Sequence, residues 1–437
     1  MDILPILITV ACCILMMFIG RQKRIELLLA AYLCLSACTI PGFSFNSCPS
    51  LLALLFLLRE CKNIRRSIKQ FRHTFILTAT TVVVIGGIIQ IITSVHLHNF
   101  SSLIGYILGD LFCKYFVLAA LFIAITDKRQ VKALLKTTET CLIILIGFAL
   151  FEFVTHVNII MILFGKDPTF IISEGAVRQR VSSLFISSFD FGYTCLLLLL
   201  YLIYAYNSNW LPKQRFYILA VLCFIGIVLC GCRTVLACTL VTLAAYSLTR
   251  YRLSKNVFIF VSCTTTLIIG YLYVPWIQEK CDFLLSAFDP DSDVEGSSLT
   301  MRQYQYLAVA HYVKNNIWFG RGYRFFLIDM GWGKDSFNSL QDMDLMGLEG
   351  VLMNRLLEAG IIGVLVYLLF WGLLLYVSLK KLKEAPLESS ICISFICACL
   401  VFGNMTGELN SVARTLFFLG MFLKLKMIRI KSVHHIR

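Results

Sequence analysis

The sequence predicts an all-α polytopic membrane protein of about 12–13 transmembrane helices, with one large external loop that carries short helices. Three observations predict it. Of the 437 residues, 59% are hydrophobic and only 15% are charged. The mean hydropathy is +0.81, more apolar side chain than a soluble surface can hide. The apolar runs are continuous rather than alternating, which excludes the tilted strands of a membrane barrel. Finally, Lys and Arg gather in short tracts between those runs, as they do in cytoplasmic loops of membrane proteins.

Taken in order, the apolar segments lie near 3–20, 25–41, 44–58, 74–94, 103–126, 138–164, 183–206, 216–230, 234–249, 256–276, 355–379, 389–406 and 410–425. A spanning helix needs roughly 20 residues. The third, eighth and ninth segments are short against that measure. The first run meets Arg21 and Lys23 with no small-residue cleavage site, so it reads as a retained span rather than a signal peptide.

The basic tracts are Arg21–Arg24, Arg59–His73, Asp127–Lys136, Lys213–Arg215, Arg250–Lys255, Lys380–Lys383 and Lys424–Arg437. Placing all of them inside gives a consistent arrangement with an external N-terminus and a cytoplasmic C-terminus. Four polar regions then fall outside: 165–182, the turn Gly231-Cys-Arg233, 277–350, and Gly403–Asn410. The chain divides into N-terminal helices (1–276), a large extracytoplasmic loop (277–350), and C-terminal helices with a basic tail (351–437). The large loop is acidic on balance, opposite to the cytoplasmic tracts.

The net charge of +14 is accounted for by this sidedness, and nucleic acid is not an expected partner. The 18 Cys lie almost entirely within apolar spans and read as small buried hydrophobes. Neither they nor the seven His show metal-site spacing. The run Asp289-Pro-Asp-Ser-Asp293-Val-Glu295 fails the calcium-loop pattern, with Val294 at its sixth position and Thr300 at its twelfth. Gly320-Arg-Gly322 lacks the strand and helix of a nucleotide-phosphate loop.

Candidate functional residues concentrate on the external face. Arg178, Arg180, Arg233 and Arg302 all lie there in this arrangement. A permanent cation at a membrane boundary needs an anion, a wet cavity or a lipid headgroup. Guanidinium forks match phosphate oxygens in two-point contacts. Glu349, at the mouth of the next span, can accept or orient a hydroxyl proton; such an acid also suits a helix start. Within the spans, Asp110 and Lys114, and Glu152 and His156, are spaced to neutralise each other locally. Gly105 and Gly109 offer a close-packing face.

Several of these stretches together resemble the O-antigen ligase and polymerase family of bacterial envelope glycosyltransferases. Arg178-Gln-Arg-Val-Ser-Ser-Leu-Phe185 resembles the family segment in which an Arg precedes a short Gly/Ser-Leu-Phe stretch and a new span. Gly231-Cys-Arg-Thr234 resembles the family's Gly-Ser-Arg-Thr turn. Arg302 to Tyr323 resembles the start of its periplasmic loop, ending in a Phe-Gly-x-Gly element. Glu349 to Gly363 resembles its closing motif, His-Asn followed by Glu-x-Gly-x-x-Gly. The resemblance covers residues 170 to 380. Two departures stand out: Glu349-Gly350 replaces the His-Asn pair, and Cys232 replaces the Ser. Loss of the His turns the likeness from the ligases toward the divergent polysaccharide polymerases.

The resemblance implies the fold of a membrane C-type glycosyltransferase in a bacterial inner membrane. It implies transfer of a glycan from an undecaprenyl diphosphate carrier to a sugar hydroxyl, with inversion and without metal or cofactor. The expected roles are diphosphate binding for Arg178, Arg180, Arg233 and Arg302, and base or acceptor orientation for Glu349. Tyr304, Tyr306, Trp318, Arg321 and Tyr323 are candidate sugar contacts, and the aromatic ones equally suit an interfacial belt. The expected partners are the lipid-linked oligosaccharide and the bilayer, with a chain-length regulator protein as a further candidate. A ligase acting on lipid A core or protein, and a flippase for the lipid-linked oligosaccharide, are the alternatives.

Overall fold

The computed structural model describes residues 3–38, 47–71, 75–163, 180–251, 265, 271–275, 278, 282, 299–325, 348, 350–406 and 411–436. Every regular element among them is helical. In an apolar solvent each backbone N–H and C=O must be satisfied within its own segment, and continuous apolar runs therefore fold as helices. The chain opens with α1 (Ile3–Phe18), α2 (Arg21–Cys34), α3 (Ser47–Phe71) and α4 (Phe75–Thr93). A short 3-10 turn, Val95–His98, leads into one long helical stretch. It comprises α5 (Phe100–Gly105), a π-helical segment (Tyr106–Phe116) and α6 (Val117–Ala124). Then come α7 (Lys128–Thr155), α8 (Ile159–Leu163), α9 (Ser188–Asn207), α10 (Lys213–Leu229) and α11 (Arg233–Arg250). The last are α12 (Leu299–Val313), α13 (Val351–Leu379), α14 (Pro386–Thr406) and α15 (Ser411–Ile436).

Twelve of the thirteen predicted apolar segments fall on a helix; of the other, 256–276, only residues 265 and 271–275 are among those described. Among the described residues, 5 helices are long and apolar enough to cross a membrane: Phe100–Phe122, Lys128–Thr155, Ser188–Asn207, Val351–Leu379 and Pro386–Thr406. Ile3–Phe18 and Thr78–Thr93 are shorter apolar helices. The remaining segments fall below that measure because their helices are short, as in α2 with 14 residues, or carry charge.

The centre of the bundle is formed by α9, α14 and α15. In α9, 83% of the most apolar window is buried and in α14 78%, against 28% in α13. The first two are therefore surrounded by protein, whereas α13 presents Leu365, Leu368 and Leu369 outward. Aromatic packing ties the centre together. Phe395 stacks on Phe418 with centroids 5.6 Å apart, and Tyr193 stacks on Phe402 at 4.2 Å. The Tyr193 and Thr415 hydroxyls share a 2.7 Å hydrogen bond.

Polar contacts sort to two ends. At the basic end, Arg21 and Arg24 meet the buried Glu60 at 3.1 and 3.4 Å, and Arg429 meets Glu388 at 3.1 Å. Lys426 donates to the carbonyls of Val377, Ser378 and Lys380 at 2.6–2.8 Å, capping the last turn of α13 with a cation. The opposite end, here called the far end, holds Arg180, Arg233 and Arg302.

One local prediction changes. Glu152 does not turn to His156, which leaves α7 in a left-handed conformation (φ 58) and is exposed. The buried carboxylate instead accepts from the amides of Ser182, at 3.1 Å, and Ser183, at 2.7 Å. It thereby pins the segment that follows Arg180 to the end of α7. Asp110 and Lys114 do form an ion pair, within the π-helical segment.

Candidate functional site

The far end is organised by a break in α13. Gly360 has φ 63 and ψ −160 inside that helix, a region open to glycine alone. The break opens two backbone bonds that a straight helix would form, from 361 to 357 and from 362 to 358. The segment 317–322 fills the gap. The amides of Arg321 and Gly322 donate to the carbonyls of Leu357, at 2.7 Å, and Glu358, at 2.9 Å. In return the amides of Ile361 and Ile362 donate to Ile317, at 2.9 Å, and Trp318, at 3.2 Å. All four groups freed by the break are thereby paired again.

The fit is backbone to backbone. A Cβ on Gly360 would stand 2.4 Å from the Trp318 carbonyl, and one on Gly320 would stand 2.6 Å from the Gly360 nitrogen and the Leu357 oxygen. Gly320 itself has φ +70. The Phe-Gly-x-Gly and Glu-x-Gly-x-x-Gly stretches, separate in the sequence, are thus two halves of one joint. The segment 317–322 of the polar loop is built into the helical bundle through it.

Charged and polar side chains surround the joint. Glu358 accepts from the Arg324 amide at 3.0 Å and lies 3.8 Å from the Arg355 guanidinium. The Gln90 amide donates to the Glu358 carbonyl at 3.3 Å. The Tyr323 amide donates to Ser94 Oγ at 2.9 Å. Arg355 reaches the Tyr115 hydroxyl at 3.5 Å, and both Arg324 and Arg355 lie within electrostatic reach of Asp110. Below them a cavity of about 60 Å³ lies between α4, the π-helical segment and α13, with Gln90, Tyr106, Tyr115 and Arg355 on its wall. That is room for a few water molecules among polar partners.

The sequence-predicted residues divide into three groups. Arg302, near the start of α12, donates to the Met405 carbonyl at 3.0 Å, at the end of α14. Gly350, which follows Glu349, packs beside the neighbouring Asn404 carbonyl, 3.3 Å from where its Cβ would stand. The chain on either side of the candidate site is therefore gathered on one helix end. Arg233 opens α11, which runs antiparallel to α14; Cys238 Sγ donates to the Ala398 carbonyl at 3.3 Å. Arg233 accordingly lies at the same far end. Arg180 is close enough for the two positive charges to repel, and its guanidinium sits 5.7 Å from the Phe189 ring centroid. Arg178 and Glu349 lie outside the described residues, as does Asp289–Glu295.

Tyr304, Tyr306 and Trp318 are 54%, 42% and 58% exposed. Arg321 is exposed and donates through Nε to the Tyr312 carbonyl at 2.5 Å. Tyr323 departs from the expectation of a sugar contact. It is 5% exposed, its ring packs edge-on to Tyr106 at 4.6 Å, and Arg324 covers it at 5.3 Å. Its ring is occupied by the protein's own packing. Among the described residues, no group of three or more His, Cys, Asp or Glu side chains is placed to hold a metal ion.

Sequence reasoning missed a buried ion pair at this end. Arg414, near the start of α15, is 1% exposed and Asp190, near the start of α9, 4%. They meet at 2.9 Å, and Arg414 also donates to Thr194 Oγ1 at 3.1 Å. The Phe185 ring lies 4.7 Å from the guanidinium. The available signal was opposite charge inside two apolar spans, and nothing in their 224-residue separation marks them as partners.

Compared with known proteins, the chain matches no family model and no curated protein.

Proposed function

We propose that this chain is a polytopic membrane polymerase that joins undecaprenyl diphosphate-linked oligosaccharide repeat units at the face opposite its basic tracts, in a bacterial inner membrane. The proposal reads all of the predicted apolar segments as spans. The observation that carries it is the gathering of Arg302 and the residue after Glu349 on adjacent carbonyls, Met405 and Asn404, at the far end of α14. The cation pair Arg180 and Arg233 lies at that same end.

The chemistry follows from those groups. An acceptor sugar hydroxyl attacks the anomeric carbon of the donor glycan. The new C–O bond forms as the bond to the diphosphate breaks, and the diphosphate leaves with the electron pair. The hydroxyl proton passes to Glu349. An unperturbed Glu has a pKa of about 4.3, so this role calls for a partly desolvated carboxyl. Arg233, Arg302, Arg178 and Arg180 stabilise the charge that develops on the diphosphate. No nucleotide is needed, because the donor already carries its leaving group. Tyr304, Tyr306 and Trp318 offer exposed rings to sugar, and Arg321 supplies a further donor beside them.

The test is polymer length in cells producing Arg233→Ala, Arg302→Ala or Glu349→Gln at normal protein level. Each is expected to lower polymerisation by about 100-fold or more, the usual loss when a charge-stabilising donor is removed. Normal long chains in all three would reject the reading. Supplying a lipid A or protein acceptor, instead of a second lipid-linked unit, separates polymerase from ligase.

A further inference from the structure

A second candidate site lies at the basic end, away from the candidate residues of the far end. Helices α2 and α7 both begin there and run side by side; Gln22 on α2 donates to the Gln130 carbonyl on α7 at 3.2 Å. Between them opens a groove of about 1160 Å³. One wall is a single stripe of α7: Arg129, Lys132, Lys136, Thr140 and Ile144, spaced three or four residues apart. The facing wall is the corresponding stripe of α2: Lys23, Glu26, Ala30 and Cys34. Both walls change in the same direction, from cationic at the mouth to small and apolar further in.

The charges at the mouth do not cancel. Glu26 is taken by Lys23 at 2.7 Å and Glu139 by Arg215 at 2.5 Å. Among the described residues, Arg129 has one loose ion-pair neighbour, Asp127, at 3.9 Å with both side chains largely exposed. Among the described residues, Lys132 and Lys136 have no ion-pair partner, and both are exposed. Three cations therefore face a groove whose inner end is lined by Ala30, Cys34, Leu35, Cys141 and Ile144.

We infer that this groove binds an anionic phospholipid from the leaflet at the basic end, its phosphate held by Arg129, Lys132 and Lys136 and one acyl chain lying along α2 and α7 toward Ile144. The charge gradient selects this occupant. A soluble anion has no use for the apolar inner half, and a neutral lipid has none for the cations. Basic pockets between membrane helices bind acidic headgroups by this combination. The inference rests on the membrane character of the helices and not on the transferase reading.

The experiment uses the full-length protein in detergent, with native mass spectrometry of bound lipid. Phosphatidylglycerol and phosphatidylcholine with identical chains are offered in turn. Wild type is expected to retain phosphatidylglycerol about tenfold better or more. Lys132→Ala/Lys136→Ala should lower phosphatidylglycerol affinity by roughly thirty-fold, since each basic residue near an acidic surface contributes about fivefold. Lys380→Ala/Lys383→Ala, which removes two exposed cations elsewhere at the same end, should bind like wild type. Equal retention of the two lipids would overturn the inference. So would an unchanged Lys132→Ala/Lys136→Ala variant, or an equal loss in the control variant. Displacement of phosphatidylglycerol by millimolar inorganic phosphate would assign the cations to a free anion and overturn it as well.

Discussion

Replacing Gly360 with Ala is the sharpest perturbation of the far end. The native φ of 63 and ψ of −160 cost a non-glycine residue roughly 1–3 kcal/mol. The added methyl would also stand 2.4 Å from the Trp318 carbonyl carbon and oxygen and 2.5 Å from the Phe319 nitrogen. These are backbone atoms held by reciprocal bonds, so they cannot swing aside as a side chain would. The segment 317–322 must withdraw, and four backbone bonds open with it. At about 0.5–1.5 kcal/mol each, their loss amounts to roughly 2–6 kcal/mol. Hydrogen exchange of the purified protein reads this directly. The amides of Arg321, Gly322, Ile361 and Ile362 should exchange at least roughly thirtyfold faster in Gly360→Ala. Gly372→Ala, in the same helix with nothing within 4 Å of the new methyl, should leave them unchanged. Wild-type protection of those four amides in Gly360→Ala would refute the interlocked joint.

Two further outcomes are expected from detergent-solubilised unfolding measurements. Arg414→Met strands the Asp190 carboxylate in a buried site and should destabilise by about 3–5 kcal/mol, while Asp190→Leu/Arg414→Met recovers most of that loss. A double variant no more stable than Arg414→Met would show that the pair is not the source. Tyr323→Phe should be neutral or stabilising, because the Tyr323 hydroxyl is buried with no hydrogen-bond partner among the described residues; Tyr323→Ala, which empties a packed site, should cost about 3–5 kcal/mol. A Phe variant weaker than wild type by more than about 1 kcal/mol would mean that the hydroxyl is bonded after all.

The helices were legible in the sequence because a continuous apolar run leaves the backbone one way to satisfy itself. The basic tracts carry the partners of the carboxylates they meet: Arg21 and Arg24 those of Glu60, Arg215 that of Glu139 and Arg429 that of Glu388. The joint between Gly320 and Gly360 was not legible. Its glycine pattern is visible as motif, but the pairing is made by main-chain atoms, which carry no residue code. Glu152 was assigned to His156 by spacing alone. The helix ends at His156 in a left-handed turn, and the amides of Ser182 and Ser183, supplied by a loop, are better donors to a buried carboxylate. Tyr323 shows the converse limit, since exposure of an aromatic ring within a polar stretch cannot be judged without the partner helix.

The central claim is that the far end transfers glycan between two lipid-linked units. Its most direct test is to incubate the purified protein with undecaprenyl diphosphate-linked repeat units alone and to follow both products, the doubled glycan and the released undecaprenyl diphosphate. The account predicts that the two appear in equal amounts with wild type and fall by about 100-fold or more with Arg302→Ala and with Glu349→Gln. Absence of the doubled glycan with folded wild-type protein, or undiminished formation by both variants, would contradict it.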